Sequence, residues 1–366
     1  MDLMIRVLTE RWTFVIPLLA AVALALTWGR SLSGVAVIVV AAALIGAVLA
    51  AVYHAEVVAH RVGEPFGSLV LAVAVTVIEV ALIVTLMISG GDKAASLARD
   101  TVFAAVMITC NGIVGLALLV GALRRRVAVF NAEGTGAALA TVATLATLSL
   151  VLPTFTTSTP GPEFSAAQLA FAAVASLALY GLFVMVQTVR HPDDFLPVEG
   201  DGVVTDDDAH ETRPTAKAAL LSLLLLFVAL VCVVGLAKVV SPSIESAVAS
   251  AGLPPSAVGV VIALLVLLPE TLAAFNAARR DRVQISLNLA LGSAMASIGL
   301  TIPVIAVATI WLDGPLVLGL GATQMVLLGL TVVVGTLTVV PGRATLLQGG
   351  VHLALFSAFV FLAASP

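Results

Sequence analysis

The sequence predicts an all-α polytopic membrane protein of about eleven transmembrane helices, one N-terminal helix followed by two inverted five-helix repeats. Three observations carry that expectation. Apolar residues make up 61% and charged residues 10% of the 366 residues, with a mean hydropathy of +1.17. A soluble domain is nearer half apolar and a quarter charged. The apolar residues fall in runs long enough to cross a bilayer, which takes roughly 20 helical residues. Two of these runs each carry a glutamate well inside, and a charged corner follows each.

Taken in order, the expected crossings are Trp12–Trp28, Ser33–Tyr53, Gly63–Ser89, Thr101–Leu123, Thr135–Leu152 and Ala166–Val189. After a polar stretch come Lys217–Val240, Ala257–Ala278, Ile285–Trp311, Gly319–Val340 and Thr345–Ala363. They lack the alternation of a membrane barrel and are too long for its strands. Domain organisation follows as an N-terminal helix (1–32), a first repeat (33–190), an acidic cytoplasmic linker (191–216) and a second repeat (217–366). Trp12 and Trp28 bracket the first run like interfacial anchors, and Asp2 and Glu10 dilute its positive flank. It therefore reads as a retained helix, although Ala23-Leu24-Ala25 resembles a cleavage tripeptide. The linker carries Asp193, Asp194, Glu199 and Asp206–Asp208. It lacks the glycine and final glutamate of an EF-hand and reads as a solvated tether, with a regulatory or cation-concentrating role as the alternative.

Counting positive charges sets the topology. With the N-terminus cytoplasmic, thirteen of the 17 Lys and Arg residues lie inside, among them Arg124–Arg126 and Arg279, Arg280 and Arg282. Only Arg30, Lys93, Arg99 and Lys238 lie outside. The C-terminus is then external. A net charge of −4 argues against nucleic acid as a partner. Cys110 and Cys232 both fall inside spans and read as small buried hydrophobes.

The halves share more than hydropathy. Arg99-Asp100-Thr-Val102 opens one span and Arg280-Asp281-Arg-Val283 another, each after a glutamate-bearing run. Nine residues beyond each valine stand Asn111-Gly112 and Gly292-Ser293. Five crossings per half reverse the second half relative to the first, the plan in which transporter sites form near the midplane.

The chemistry rests on Glu79 and Glu270. A carboxylate at membrane depth costs about 2.5–3.5 kcal/mol on insertion scales and marks an ion pathway by default. Thr76 lies three residues before Glu79, on the same helical face. Pro269 precedes Glu270 and frees a backbone carbonyl nearby. Asn111, Ser293 and Asn288 offer further oxygens, as a hard cation requires. Two ionised glutamates neutralise one divalent cation, and two protonated ones are neutral already. The empty doubly charged form costs about 5–7 kcal/mol if the penalties add, which suppresses uncoupled transit by about four orders of magnitude. The pattern is that of a cation/proton exchanger, the bland alternative being carboxylates that only pin helices together.

Weaker candidates surround this pair. His54, Glu56, His60 and Glu64 cluster before the Glu79 span and serve either as an entrance or as interfacial anchors. At 27 residues and about 1.5 Å each, Gly63–Ser89 outspans the hydrocarbon core, so Glu64 sits at its rim. His352 reads as a packed residue, and Gly292-Ser293-Ala294 and Gly319–Gly321 as sites of close helix approach.

These stretches resemble the calcium/cation antiporter superfamily, in particular its calcium/proton exchanger branch and the bacterial ChaA type. The resemblance lies in GEPFGSLVLAVAVTVIEV (63–80), RDTVFAAVMITCNG (99–112) and LLPETLAAFNAARRDRVQISLNLALGSAMAS (267–297). It implies an antiporter with ten core helices in which Glu79 and Glu270 are the acidic ion ligands. The wider branch has asparagine three residues before each glutamate, where this chain has Thr76 and Leu267. The expected activity is export of Ca²⁺ against protons, with Na⁺ or K⁺ exchange as the same-class alternative, and no cofactor. An intramembrane enzyme would need motifs such as His-Glu-x-x-His, which the spans lack. A passive channel would show proton-independent flux. A periplasmic-type reporter enzyme fused after Pro366 is expected to be active; an inactive but folded fusion would invert the orientation.

Overall fold

The computed structural model describes residues 2–30, 32, 34–63, 66–90, 95–198, 214–254, 256–311 and 314–365, and these are helical almost throughout. The helices are α1 (Asp2–Thr27), α2 (Val35–Val62), α3 (Phe66–Gly90), α4 (Leu97–Met107), α5 (Val114–Arg125), α6 (Ala132–Ala146) and α7 (Ala166–Met185). Then follow α8 (Ala216–Ser250), α9 (Ser256–Val266), α10 (Leu268–Arg279), α11 (Val283–Gly299), α12 (Thr301–Ala308), α13 (Ala322–Val339) and α14 (Leu346–Ala364). Every run picked out above falls on one or two of them. Among the described residues eight helices are long and apolar enough to cross a membrane, nine with the bent pair α9–α10. The described apolar parts of α1 and α3, Trp12–Thr27 and Thr76–Thr85, are shorter than a full crossing.

Packing divides the chain into two units, and each draws on both halves of the sequence. The first comprises residues 1–89 and 211–252, hence α1, α2, α3 and α8. Here α2 packs along both α8 and α1. Alanines make this possible: Ala47, Ala50, Ala51 and Ala55 of α2 are fully buried and let the axes approach. Pro17 interrupts α1, because it lacks the N–H that would bond the carbonyl of Thr13 four residues earlier. His54 of α2 fills that gap, its Nε2–H donating to the Thr13 carbonyl at 2.9 Å. The rings of Phe14 and Tyr53 stand edge-on to the imidazole, with centroids at 5.9 and 5.4 Å. Gly235 of α8 receives the Leu24 side chain of α1, and Lys238 lies over the Trp28 ring.

The second unit comprises residues 90–210 and 253–366. Its spine is the span Leu97–Arg125, 83% of whose apolar window is buried. That span is not one regular helix, since α4 and α5 are joined by a π turn, Ile108–Ile113. Two further π turns, Thr147–Val151 and Val186–Arg190, continue α6 and α7. An extra residue in a turn leaves no hydropathy signature, so sequence periodicity does not reveal it. The α9–α10 pair bends by 52° at Leu267, where Pro269 removes an N–H and the chain restarts as a new helix.

The two charged corners, similar in sequence, do different work. Arg99 binds its neighbour Asp100 at 2.8 Å, and Ser96 and Gln324 also donate to that carboxylate. Asp281 instead reaches across to Arg124 and Arg125 at 3.4 and 3.6 Å, while Arg124 also donates to the Arg279 carbonyl. It thereby clamps the end of α5 to the α10–α11 turn, whose left-handed φ of 60° falls on Asp281 itself. A two-residue antiparallel pairing, Ala128 with Ala344 and Val129 with Arg343, ties the α5–α6 loop to the α13–α14 loop.

The start of the expected tether is docked. Phe195 is buried, its ring edge-on to Phe183 with centroids at 5.5 Å, and the Asp194 carbonyl packs against Gly134 of α6. Residues 199–213 of that segment, with most of its acidic groups, lie outside the described residues.

Close helix approach occurs at positions other than Gly292. A side chain there would meet nothing within 4 Å, whereas Gly319 is pressed against Thr154 and Pro162 in the extended stretch before α13 and not on a helix. A glycine seam brings α5 and α14 into main-chain contact: a Cβ on Gly115 would lie 2.9 Å from the Cβ of His352, and one on Gly349 2.7 Å from the backbone nitrogen of Leu119. Backbone cannot yield as a flexible side chain does. Gly349→Ala is therefore expected to destabilise the protein by about 1–3 kcal/mol, read as a lower unfolding temperature in detergent. Gly292→Ala should leave that temperature unchanged or raise it, since a helix prefers alanine.

Candidate functional site

Glu270 stands at the third position of α10, directly beyond the bend. The break exposes two kinds of backbone group. The first N–H groups of α10 have no helical carbonyl before them, and Pro269 leaves the carbonyl of Leu265 without its usual donor. The start of a helix carries partial positive charge, and the carboxylate of Glu270 stands within that first turn. The side chain is half-buried. α10 packs against α11, α5 and the π turn that carries Asn111.

Asn111 is fully buried in that π turn, and both ends of its carboxamide have partners. Its Nδ2 donates to Thr331 Oγ1 at 2.9 Å and approaches Met107 Sδ at 3.8 Å. Its Oδ1 accepts from His352 Nδ1 at 3.2 Å, and the other ring nitrogen meets Thr338 Oγ1 at 3.2 Å. Sequence reading placed Asn111 among the oxygen donors and treated His352 as mere packing; the structure joins the two. A void of about 20 Å³ lies beside this network, bounded by Cys110, Thr135, Leu287, Thr331, Thr338 and His352, and is roughly the size of one water.

Ser293 lies half-buried on α11. Asn288, a turn and a half earlier, is committed elsewhere: its Oδ1 accepts from Gln284 at 2.8 Å and its Nδ2 donates to the Phe195 carbonyl at 2.7 Å. Gln284 is the hub of this second network, since its Oε1 also accepts from the Asn131 N–H at 2.6 Å. Sequence reasoning passed over Gln284, Thr331 and Thr338. The available signal was their polarity within apolar spans, and the seven-residue spacing of the two threonines on one helical face.

In the first unit, Glu79 is 3% exposed and Thr76 5%, on an α3 that runs unbroken past both. The two glutamates thus sit in unlike backbones, one in a continuous helix and one at a helix start. Of the entrance candidates, His54 is fully buried and bound to Thr13, whereas Glu56 and His60 are exposed on α2. Glu64 lies outside the described residues. Among the described residues no group of three or more His, Cys, Asp or Glu side chains is placed to hold a resident metal ion.

Comparison with known proteins agrees with this architecture. The family profile described as sodium/calcium exchanger protein matches residues 32–189 and 221–364. The chain is 48% identical over 360 residues to y4hA of Sinorhizobium fredii, named for ionic transport, covering 97% of this chain and 96% of that one. It is 37% identical over 352 residues to the sodium-potassium/proton antiporter ChaA of Escherichia coli, covering 95% and 94%. The structure of YfkE, a Ca²⁺/H⁺ antiporter, superposes with a TM-score of 0.71 at 16% identity, covering 97% of this chain and all of that one. A broken helix that opens on a half-buried glutamate, in a chain of membrane-spanning helices, is thus found in a relative of transporters rather than enzymes: the chain belongs to the sodium/calcium exchanger family, within the calcium/cation antiporter superfamily.

Proposed function

We propose that the chain is a secondary antiporter of the bacterial inner membrane that exports cytoplasmic Ca²⁺ in exchange for protons. Glu79 and Glu270 are the groups that take up cation or proton in turn. The observation that carries this reading is the placement of Glu270 at the bend between α9 and α10, directly after Pro269, whose missing N–H leaves the Leu265 carbonyl without its usual donor. A carboxylate with neutral oxygens near it suits a hard cation. Asn111 and Ser293 supply further oxygens on the cation path, and Thr76 does so beside Glu79. Family membership supports the cation, and the fold shared with YfkE supports calcium with protons.

Coupling follows from charge. A divalent cation with two carboxylates, or two protons with the same pair, leaves no net charge, so either loaded form crosses at low cost. The empty pair stays put. Because only deprotonated carboxylates bind metal, cation affinity rises with pH.

A second reading, Na⁺ or K⁺ exchange for protons, has its own support. The relative named for that activity is more than a third identical in sequence, and Thr76 and Leu267 replace the asparagines found in the wider branch. Two monovalent ions would satisfy the same charge balance.

In inverted vesicles energised by a proton gradient, Glu270→Gln and Glu79→Gln should each abolish cation-dependent proton efflux while the protein remains at wild-type abundance. Wild-type exchange by either variant would remove that residue from the mechanism. The same vesicles, given Ca²⁺, Na⁺ or K⁺ in turn, separate the two readings by which ion dissipates the gradient. For the transported ion, the apparent KM is expected to fall as pH rises from 7 to 8.5, by up to about tenfold per pH unit for each proton displaced. A pH-independent KM would exclude proton competition at the carboxylates.

A further inference from the structure

We infer that His352 is the positioning residue for Asn111. It holds the Asn111 carboxamide with its oxygen toward α14 and its nitrogen toward α13, and so tunes cation affinity without touching the cation. This rests on the reading above in which Asn111 supplies an oxygen on the cation path.

The ring also hydrogen-bonds the Cys110 backbone carbonyl, and the contacts are satisfied with its proton on Nδ1 as follows. Thr331 donates its hydroxyl proton to the Leu327 carbonyl at 2.8 Å, so toward Asn111 its oxygen can only accept. It therefore pairs with Nδ2 at 2.9 Å, which leaves Oδ1 facing the imidazole. An amide oxygen has no proton to give, so the 3.2 Å contact to Nδ1 requires the ring proton on Nδ1. The neutral ring then presents Nε2 as an acceptor, and the Thr338 hydroxyl fills it at 3.2 Å. Thr338 is two turns beyond Thr331 on the same face of α13, so one helix holds both ends of the network. Each of the four side chains is buried.

The arrangement has the form of an outer-shell orienter. An amide oxygen carries two lone pairs, of which His352 takes one and leaves the other for a cation. Groups that hydrogen-bond a ligand and fix which of its atoms faces the ion contribute strongly to affinity, although they never contact the metal. The imidazole itself is held by packing as well as by Thr338: Gly115 lies against its Cβ, and Gly112 against the Phe356 ring one turn on. The ring cannot withdraw, so the amide cannot turn over.

Two substitutions of similar polarity separate this role from packing. Asparagine places an N–H near the position of Nδ1, which bonds Asn111; glutamine reaches toward Nε2, which bonds Thr338. In vesicles driven by a proton gradient, His352→Asn should keep the KM for Ca²⁺ within about twofold of wild type. His352→Gln should raise it by about tenfold, as for loss of one buried hydrogen bond, with kcat and membrane abundance little changed. The same comparison is made in an Asn111→Ala background, where His352→Gln should add less than twofold. Equal KM values for the two His352 variants would overturn the inference. So would a His352→Gln effect of the same size with and without Asn111, or an effect confined to kcat or abundance. If Asn111→Ala itself leaves KM unchanged while Glu270→Gln abolishes exchange, the positioning role falls and the antiport reading stands. If Na⁺ or K⁺ proves to be the transported ion, the same KM comparison is made with that ion. A His352→Asn variant that retains wild-type affinity beside a weakened His352→Gln sustains the inference.

Discussion

A carbonyl inside a bilayer that loses its helical partner has no water to turn to, and the protein must supply a donor or give the group a use. Much of the fold follows from where that happens. Pro17 strands the Thr13 carbonyl, and His54 meets it from α2, so the interruption in α1 becomes the point at which two helices are joined. Pro269 strands the Leu265 carbonyl, and there the chain bends by 52° and restarts with a glutamate in its first turn. The first interruption is closed by a side chain. The second opens beside an acidic group, which is where a transporter can use a carbonyl.

The same distinction separates what was legible in the sequence from what was not. The helical runs were readable because bilayer thickness imposes a length on them, although among the described residues eight or nine of the eleven expected crossings reach that length, and an Arg-Asp pair stands out in an apolar chain. The bend at Leu267 was foreshadowed by Pro269. The π turn at Ile108–Ile113 was not, because ITCNGI has the composition of any apolar helix and the extra residue is a matter of packing. Networks were hidden for a related reason. Asn111, Thr331, Thr338 and His352 lie as far as 241 positions apart, and nothing local says which polar side chain faces which. Phe195 shows the reverse error: a mostly acidic stretch reads as solvated, yet its one aromatic residue is buried against Phe183. Asn288, a plausible oxygen donor by position, is spent holding that stretch in place.

The two corresponding glutamates are not structural twins. Glu79 sits within an unbroken helix, so its neighbours are side chains such as Thr76. Glu270 has backbone groups beside it because α10 begins there. An exchanger needs groups that accept a proton and a metal in turn, and two carboxylates with different surroundings need not load in the same order. Family membership leaves that order open, since relatives are named for calcium, sodium and potassium alike.

The contact between α5 and α14 bears on how such a molecule moves. Gly115 and Gly349 bring main chain against main chain, with no compressible side chain between. Two helices meshed that tightly cannot creep past one another by fractions of a residue, since every intermediate register would drive Cβ atoms into backbone. They travel as one stiff lever. The far end of that lever lies against the π turn at the head of α5, the least regular stretch of that span and the one that carries Asn111.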